Sequence, residues 1–182
     1  MPRLLLAVFL IGLVFLSGCI IGGDKLSVAR DLAQLREQAI EPGLLVPHTS
    51  EGRQQYRSAL IGFRSRVDGV GDGKAQLQAY LDGSIDVIAM QESLNSAYEL
   101  VKNINPSLVD CSADSAAEQA LEHFHAAKEK SESAHIAFVV VHNDVALTNA
   151  LGADYVINAD ATTAATGIGL TTTIEQIQDS CI

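Results

Sequence analysis

The chain has no tryptophan and only four prolines and three cysteines in 182 residues. So little proline, beside abundant Ala, Leu, Glu and Gln, argues against a β-sandwich with its frequent turns and in favour of helices. Three cysteines do not make the disulfide framework of a small secreted fold. None is required, because a single domain of this length buries about two-thirds of its unfolded surface. Cationic residues are scarce as well: 12 Lys and Arg stand against 22 Asp and Glu, a formal net charge of −10. Such a body lacks the basic footprint that neutralises phosphates, so nucleic acid is not expected as a partner, and anionic lipid headgroups repel it. There is no repeat of fixed period and no low-complexity segment. Gly-x-Ser-x-Gly, His-Glu-x-x-His, the phosphate-loop pattern, Cys-x-x-Cys-His and the EF-hand loop are all missing, so no catalytic residue, cofactor or metal is expected.

Apolar periodicity predicts an all-α protein, an antiparallel four- or five-helix bundle with long third and fourth helices. Asp24 caps a first helix to about Ile40, with Val28, Leu32, Leu35 and Ala39 on one face. After Glu41-Pro42-Gly43, a second helix starts at Thr49 or Ser50 and carries the stripe Tyr56, Leu60, Phe63, Val67, Val70. The third spans about Lys74 to Asn103 and is closed by Pro106. A fourth, expected to be the longest, begins near Ser112. Its seam of mostly small residues runs through Ala113, Ala117, Ala120, Phe124, Ala127, Ser131, Ala134, Phe138, Val141, Val145 and Thr148. The last starts after Gly152 or around Asp160 and uses Leu170, Ile174, Ile177 and Cys181, with Gly167 and Gly169 inviting a kink or a close helix contact.

The N-terminal segment has its own logic. Met1-Pro2-Arg3 is cationic, Leu4 to Leu16 is an apolar run of thirteen residues, and Leu16-Ser17-Gly18-Cys19 places a cysteine after two small residues. The run suits a secretory signal and is too short to span a bilayer as a mature helix. The tetrapeptide resembles the lipobox of prokaryotic lipoproteins. That resemblance, confined to residues 1–19, implies that Cys19 receives lipid and becomes the new N-terminus. The division is then a signal peptide over 1–18, a lipidated cysteine and short linker over 19–23, and a helical bundle domain over 24–182. Loss of Arg3 with the signal leaves 11 basic and 22 acidic residues, a net charge of −11.

Several polar groups are candidates for chemistry. Glu122 with His125 and Glu132 with His135 are Glu-x-x-His steps on the fourth helix, similar to those of ferritin-like di-iron bundles. Those bundles draw the steps from two helices; here they lie ten residues apart on one, about 15 Å, and cannot share a metal. Glu92 and Glu99 are the residues of the third helix that could complete one site. Arg53, Arg57 and Arg64 line up on one face of the second helix, with Arg66 beside them; they suit an anionic ligand or a partner's carboxylates, or pairing with Asp and Glu of neighbouring helices. With Cys19 committed to lipid, Cys111 and Cys181 are left as a disulfide pair in an oxidising compartment, the alternative being two free thiols. An unbroken fourth helix would be longer than the last, so the pairing requires a bend, expected near Ser131-Glu132-Ser133 or at the two glycines.

These features point to a lipoprotein held by its lipid anchor at the extracytoplasmic face of a cell membrane. It would be non-enzymatic and interact with another envelope protein. The alternative is a small-ligand or metal-binding bundle with a solute-binding or sensory role, which requires Glu92, Asn95 and His135 to converge inside the bundle. Cys19→Ala is expected to abolish lipid attachment and to leave an unprocessed precursor; intact-mass measurement of the membrane fraction checks this.

Overall fold

The computed structural model describes residues 24–102, 104, 109–112 and 114–181. Cys19, the signal and linker segments, Asn103, Pro106 and Ala113 lie outside the described residues. Among the described residues the chain forms six α-helices: α1 (Lys25–Ala39), α2 (Ser50–Asp68), α3 (Lys74–Val101), α4 (Ala116–His142), α5 (Val145–Leu151) and α6 (Ala153–Asp179). The fold is an all-α bundle with no strand among the described residues; an isolated bridge pairs Val109 with Cys181. None of these helices is long and apolar enough to cross a membrane.

The helix starts follow local chemistry. The Asp24 side chain accepts the Leu26 amide, Thr49 accepts that of Gly52, and Ser115 accepts that of Glu118. Each removes an N–H that the first turn would otherwise leave bare. Ser115 rather than Ser112 starts α4. The expected unbroken helix to Thr148 ends instead at His142, because Asp144 caps a new helix by accepting the Leu147 amide at 3.0 Å. The chain therefore turns at Asn143-Asp144, and not at Ser131-Glu132-Ser133 or at the glycines, all of which lie inside continuous helices. With 28 residues α3 is the longest helix, while α4 and α6 have 27 each. At 1.5 Å rise per residue α4 and α6 are both about 40 Å long, so the length mismatch of an unbroken fourth helix disappears.

The α4 helix lies between α3 and α6 and makes its most extensive contacts with them; α1 and α2 pack on α3 and α5. Its buried face is the small-residue seam, Ala117, Ala120, Ala127, Ser131 and Ala134, punctuated by Phe124 and Phe138. Small side chains let neighbouring axes approach, and the aromatic rings fill the space between. Phe138 meets Tyr80 edge-on with centroids 6.2 Å apart. Past the break the seam fails: Thr148 is buried, but Val145 is 71% exposed. Thr148 Oγ1 donates to the Val141 carbonyl at 3.0 Å and holds the corner shut.

Two mid-helix glycines differ in how closely a neighbouring helix approaches them. A Cβ at Gly83 of α3 would lie 3.0 Å from Ala137 Cβ and 3.3 Å from Phe138 Cε2. At Gly167 of α6 it would meet nothing nearer than Ser131 Oγ at 3.5 Å, an ordinary contact. The same substitution should thus have opposite effects. Gly83→Ala is expected to destabilise the bundle by about 1–2 kcal/mol through overpacking, whereas Gly167→Ala leaves stability unchanged or raises it by up to about 1 kcal/mol through helix propensity. Denaturant titration followed by circular dichroism checks both; equal effects would contradict this packing.

Candidate functional site

The arginines of α2 are committed to internal partners. Arg57 Nη2 meets Glu92 Oε2 at 2.8 Å and Arg64 Nη2 meets Asp82 Oδ1 at 2.6 Å, both on α3, while Arg66 pairs with Asp31 of α1. Arg53 is buried and donates to the carbonyls of Pro47 and His48 at 3.2 and 2.8 Å. Their spacing matches carboxylates on adjacent helices, so the row holds α2 to its neighbours and presents no cationic clamp. Partly exposed pairs of this kind each contribute little, on the order of 0–1 kcal/mol, and act more on register than on stability.

The two Glu-x-x-His steps also separate. Glu132 pairs with Lys128 at 2.6 Å, and His135 turns to α6, where its Nδ1 lies 2.6 Å from Asp160 Oδ1. A carboxylate only accepts, so Nδ1 carries the proton of that bond. His142 Nδ1 stands 3.6 Å from the other Asp160 oxygen. Glu122 and His125 line an open depression on the outer face of α4 with Ala126, Lys128, Glu129 and Glu132. Among the described residues no group of three or more His, Cys, Asp or Glu is arranged to hold a metal ion. Glu92 is taken by Arg57, Glu99 pairs with Lys102, and Asn95 is exposed and accepts from Gln91. Glu92, Asn95 and His135, whose convergence inside the bundle a ligand-binding reading requires, are each at least partly exposed and each has a separate partner.

Cys111 and Cys181 are joined in a disulfide with Cα atoms 5.5 Å apart, closing a sequence separation of 70 residues. The bond ties the segment before α4 to the tail of α6, where the Val109 bridge adds a second contact.

The most unusual chemistry lies where the apolar pattern hides it. Arg36 continues the Val28, Leu32 face of α1 and is buried; its guanidinium donates to the Leu151 carbonyl and stacks 4.4 Å from the centre of the Tyr155 ring. Gly152, at φ +91°, allows the chain to pass against it: a Cβ there would lie 2.8 Å from Arg36 Nη2. Tyr155 donates to the Leu45 carbonyl at 3.1 Å. The hydroxyls of Tyr56, Tyr80 and Ser84 are buried and have no hydrogen-bond partner among the described residues. Local spacing shows Tyr56 only as part of an apolar stripe; the one signal for the cluster was a charged residue four positions after Leu32. Compared with models of known families, with curated proteins and with solved structures, the chain matches none.

Burial raises the pKa of Tyr56, Tyr80 and Tyr155 above the ordinary tyrosine value by penalising the phenolate. The unfolded chain therefore loses these protons first: the stabilisation is full below about pH 10 and falls away as pH rises through the folded values. The denaturation midpoint is expected to drop from about pH 10 upward. Tyr56→Phe should reduce that alkaline loss and at neutral pH cost less than about 1 kcal/mol, because the hydroxyl it removes has no partner. Denaturant titrations of both proteins at neutral and alkaline pH check the pair of outcomes.

Proposed function

We propose that the chain is a lipid-anchored extracytoplasmic lipoprotein, a non-enzymatic helical body held at a prokaryotic membrane through Cys19 and engaging another envelope protein. The observation that carries the reading is Leu16-Ser17-Gly18-Cys19 following a cationic start and a thirteen-residue apolar run. The Cys111–Cys181 bond supports it, because structural disulfides persist where thiols are not kept reduced. So does the surface: an acidic body whose α2 arginines are used internally gains no electrostatic attraction to anionic headgroups and needs an anchor to stay at the membrane. Two acyl chains suffice for that, at about 0.8 kcal/mol per buried CH₂. The ligand-binding alternative draws no support from Glu92, Asn95 and His135, none of which is buried inside the bundle.

Compartment is the testable core of this reading. Cells are quenched in acid, alkylated without reductant, and the protein is weighed intact. Protein exported to an oxidising compartment gains no alkyl groups on Cys111 and Cys181 until reductant is added, and carries acyl mass on Cys19. Two alkyl groups gained without reductant, with Cys19 unmodified, would refute the proposal.

A further inference from the structure

The solvent face of α4 changes character along its length. Outward positions in its first two-thirds include Glu122, His125, Glu129, Glu132 and Ser133; from there they become Ile136, Val139 and Val140, all exposed. No Asp, Glu, Lys or Arg occurs from Ile136 to Asn143. Just across the break stands Val145, the first residue of α5, which is also exposed. Ile136, Val139 and Val140 are neighbours at i, i+3 and i+4, and branched aliphatic surface grouped in this way at one end of an otherwise charged helix suits a contact surface.

This is also the end at which the chain enters the bundle. Lys25, the first residue of α1, reaches Asp144 at 3.0 Å and Asp72 at 3.1 Å, and Asp144 directly precedes Val145. From Cys19 to Asp24 there are five residue steps, at most about 18 Å of extended chain. A lipid on Cys19 therefore keeps the bilayer within that distance of the start of α1, and the Lys25–Asp144 pair sets the α4–α5 corner beside that start. Tethering gives the bilayer a high effective concentration at this surface that a free partner does not have. Aliphatic side chains partition favourably into the boundary between headgroups and acyl chains. The Lys25 ammonium is shared by Asp72 and Asp144 and offsets part of the negative charge at this end of the body.

We propose that Val139, Val140 and Val145, with Ile136 behind them, form a second, non-covalent membrane contact that rests the bundle on the lipid surface beside its anchor. The inference rests on the lipid-anchor reading of Cys19. Its consequence is orientation: because α4 and α6 run antiparallel, the disulfide-tied end lies a helix length away, about 40 Å, and faces outward to be met by an envelope partner.

The absence of tryptophan makes the test direct. Val145→Trp and Glu122→Trp, both at exposed positions, are prepared in the full-length acylated protein and reconstituted into phosphatidylcholine vesicles with and without brominated acyl chains. Glu122 lies about 30 Å along α4 from His142 and serves as the distant reference. The indole at 145 is expected to shift its emission to the blue and to lose about half its intensity in brominated vesicles, as for a side chain at the acyl boundary, while the indole at 122 does neither. Acylated protein in which the two indoles behave alike overturns this inference and leaves the anchor standing. A blue shift at 145 without quenching means that a second copy of the chain covers the patch, and also overturns it. Protein without acyl mass on Cys19 overturns the anchor reading and this contact with it.

Discussion

A single carboxylate at Asp144 divides a long apolar rhythm into two helices, and the geometry of the bundle follows from where it does so. It accepts the Leu147 amide at the start of α5, completing the cap of a helix only seven residues long, and it holds Lys25 at 3.0 Å. Both contacts favour the charged form. The carboxyl is held below the usual carboxylate range, first by the Leu147 amide and then by Lys25. A depressed folded value means the stabilisation is present above the unfolded value of about 3.9 and is lost as pH falls through the folded one. The break is therefore an electrostatic feature as well as a steric one.

Everything downstream depends on the lengths it sets. With α4 ended at His142, α6 returns along it with the same number of residues, so its tail arrives level with the segment before α4. That brings Cys111 and Cys181 within bonding distance, and closing a loop of this size contributes roughly 4 kcal/mol in the chain-entropy model. At the other end the corner brings Leu151 and Gly152 against Arg36. There a buried guanidinium is tolerated because a carbonyl and an aromatic face replace the water it lost.

Much of this architecture is legible in the residues themselves. Asp24 and Thr49 announce their helices by capping chemistry, the seam from Ala117 to Val141 reads as a buried face, and Arg57 and Arg64 of α2 had acidic partners within reach on α3. The cysteine pair follows from counting once Cys19 is assigned elsewhere. What local pattern could not show was the corner at Asn143-Asp144. The apolar rhythm continues through Val145 and Thr148, and an Asx residue within such a pattern can either stay in the helix or cap a new one, a choice the rhythm does not reveal. The cluster of Arg36, Tyr56, Tyr80, Ser84 and Tyr155 was equally hidden, since it joins four helices and no spacing within one segment predicts it. Val145, read as core, is exposed for the same reason that the helix is broken.

The claim that Asp144 sets the corner is tested most directly by native-state hydrogen exchange resolved at single amides. Val145, whose amide at the start of α5 has no acceptor on a preceding turn, is expected to exchange fast, while Val141 before the corner and Leu147, whose amide is held by Asp144, are protected. Uniformly slow exchange from Val139 through Thr148 would mean one continuous helix, and would contradict the matched lengths of α4 and α6 on which the disulfide and the orientation of the bundle both depend.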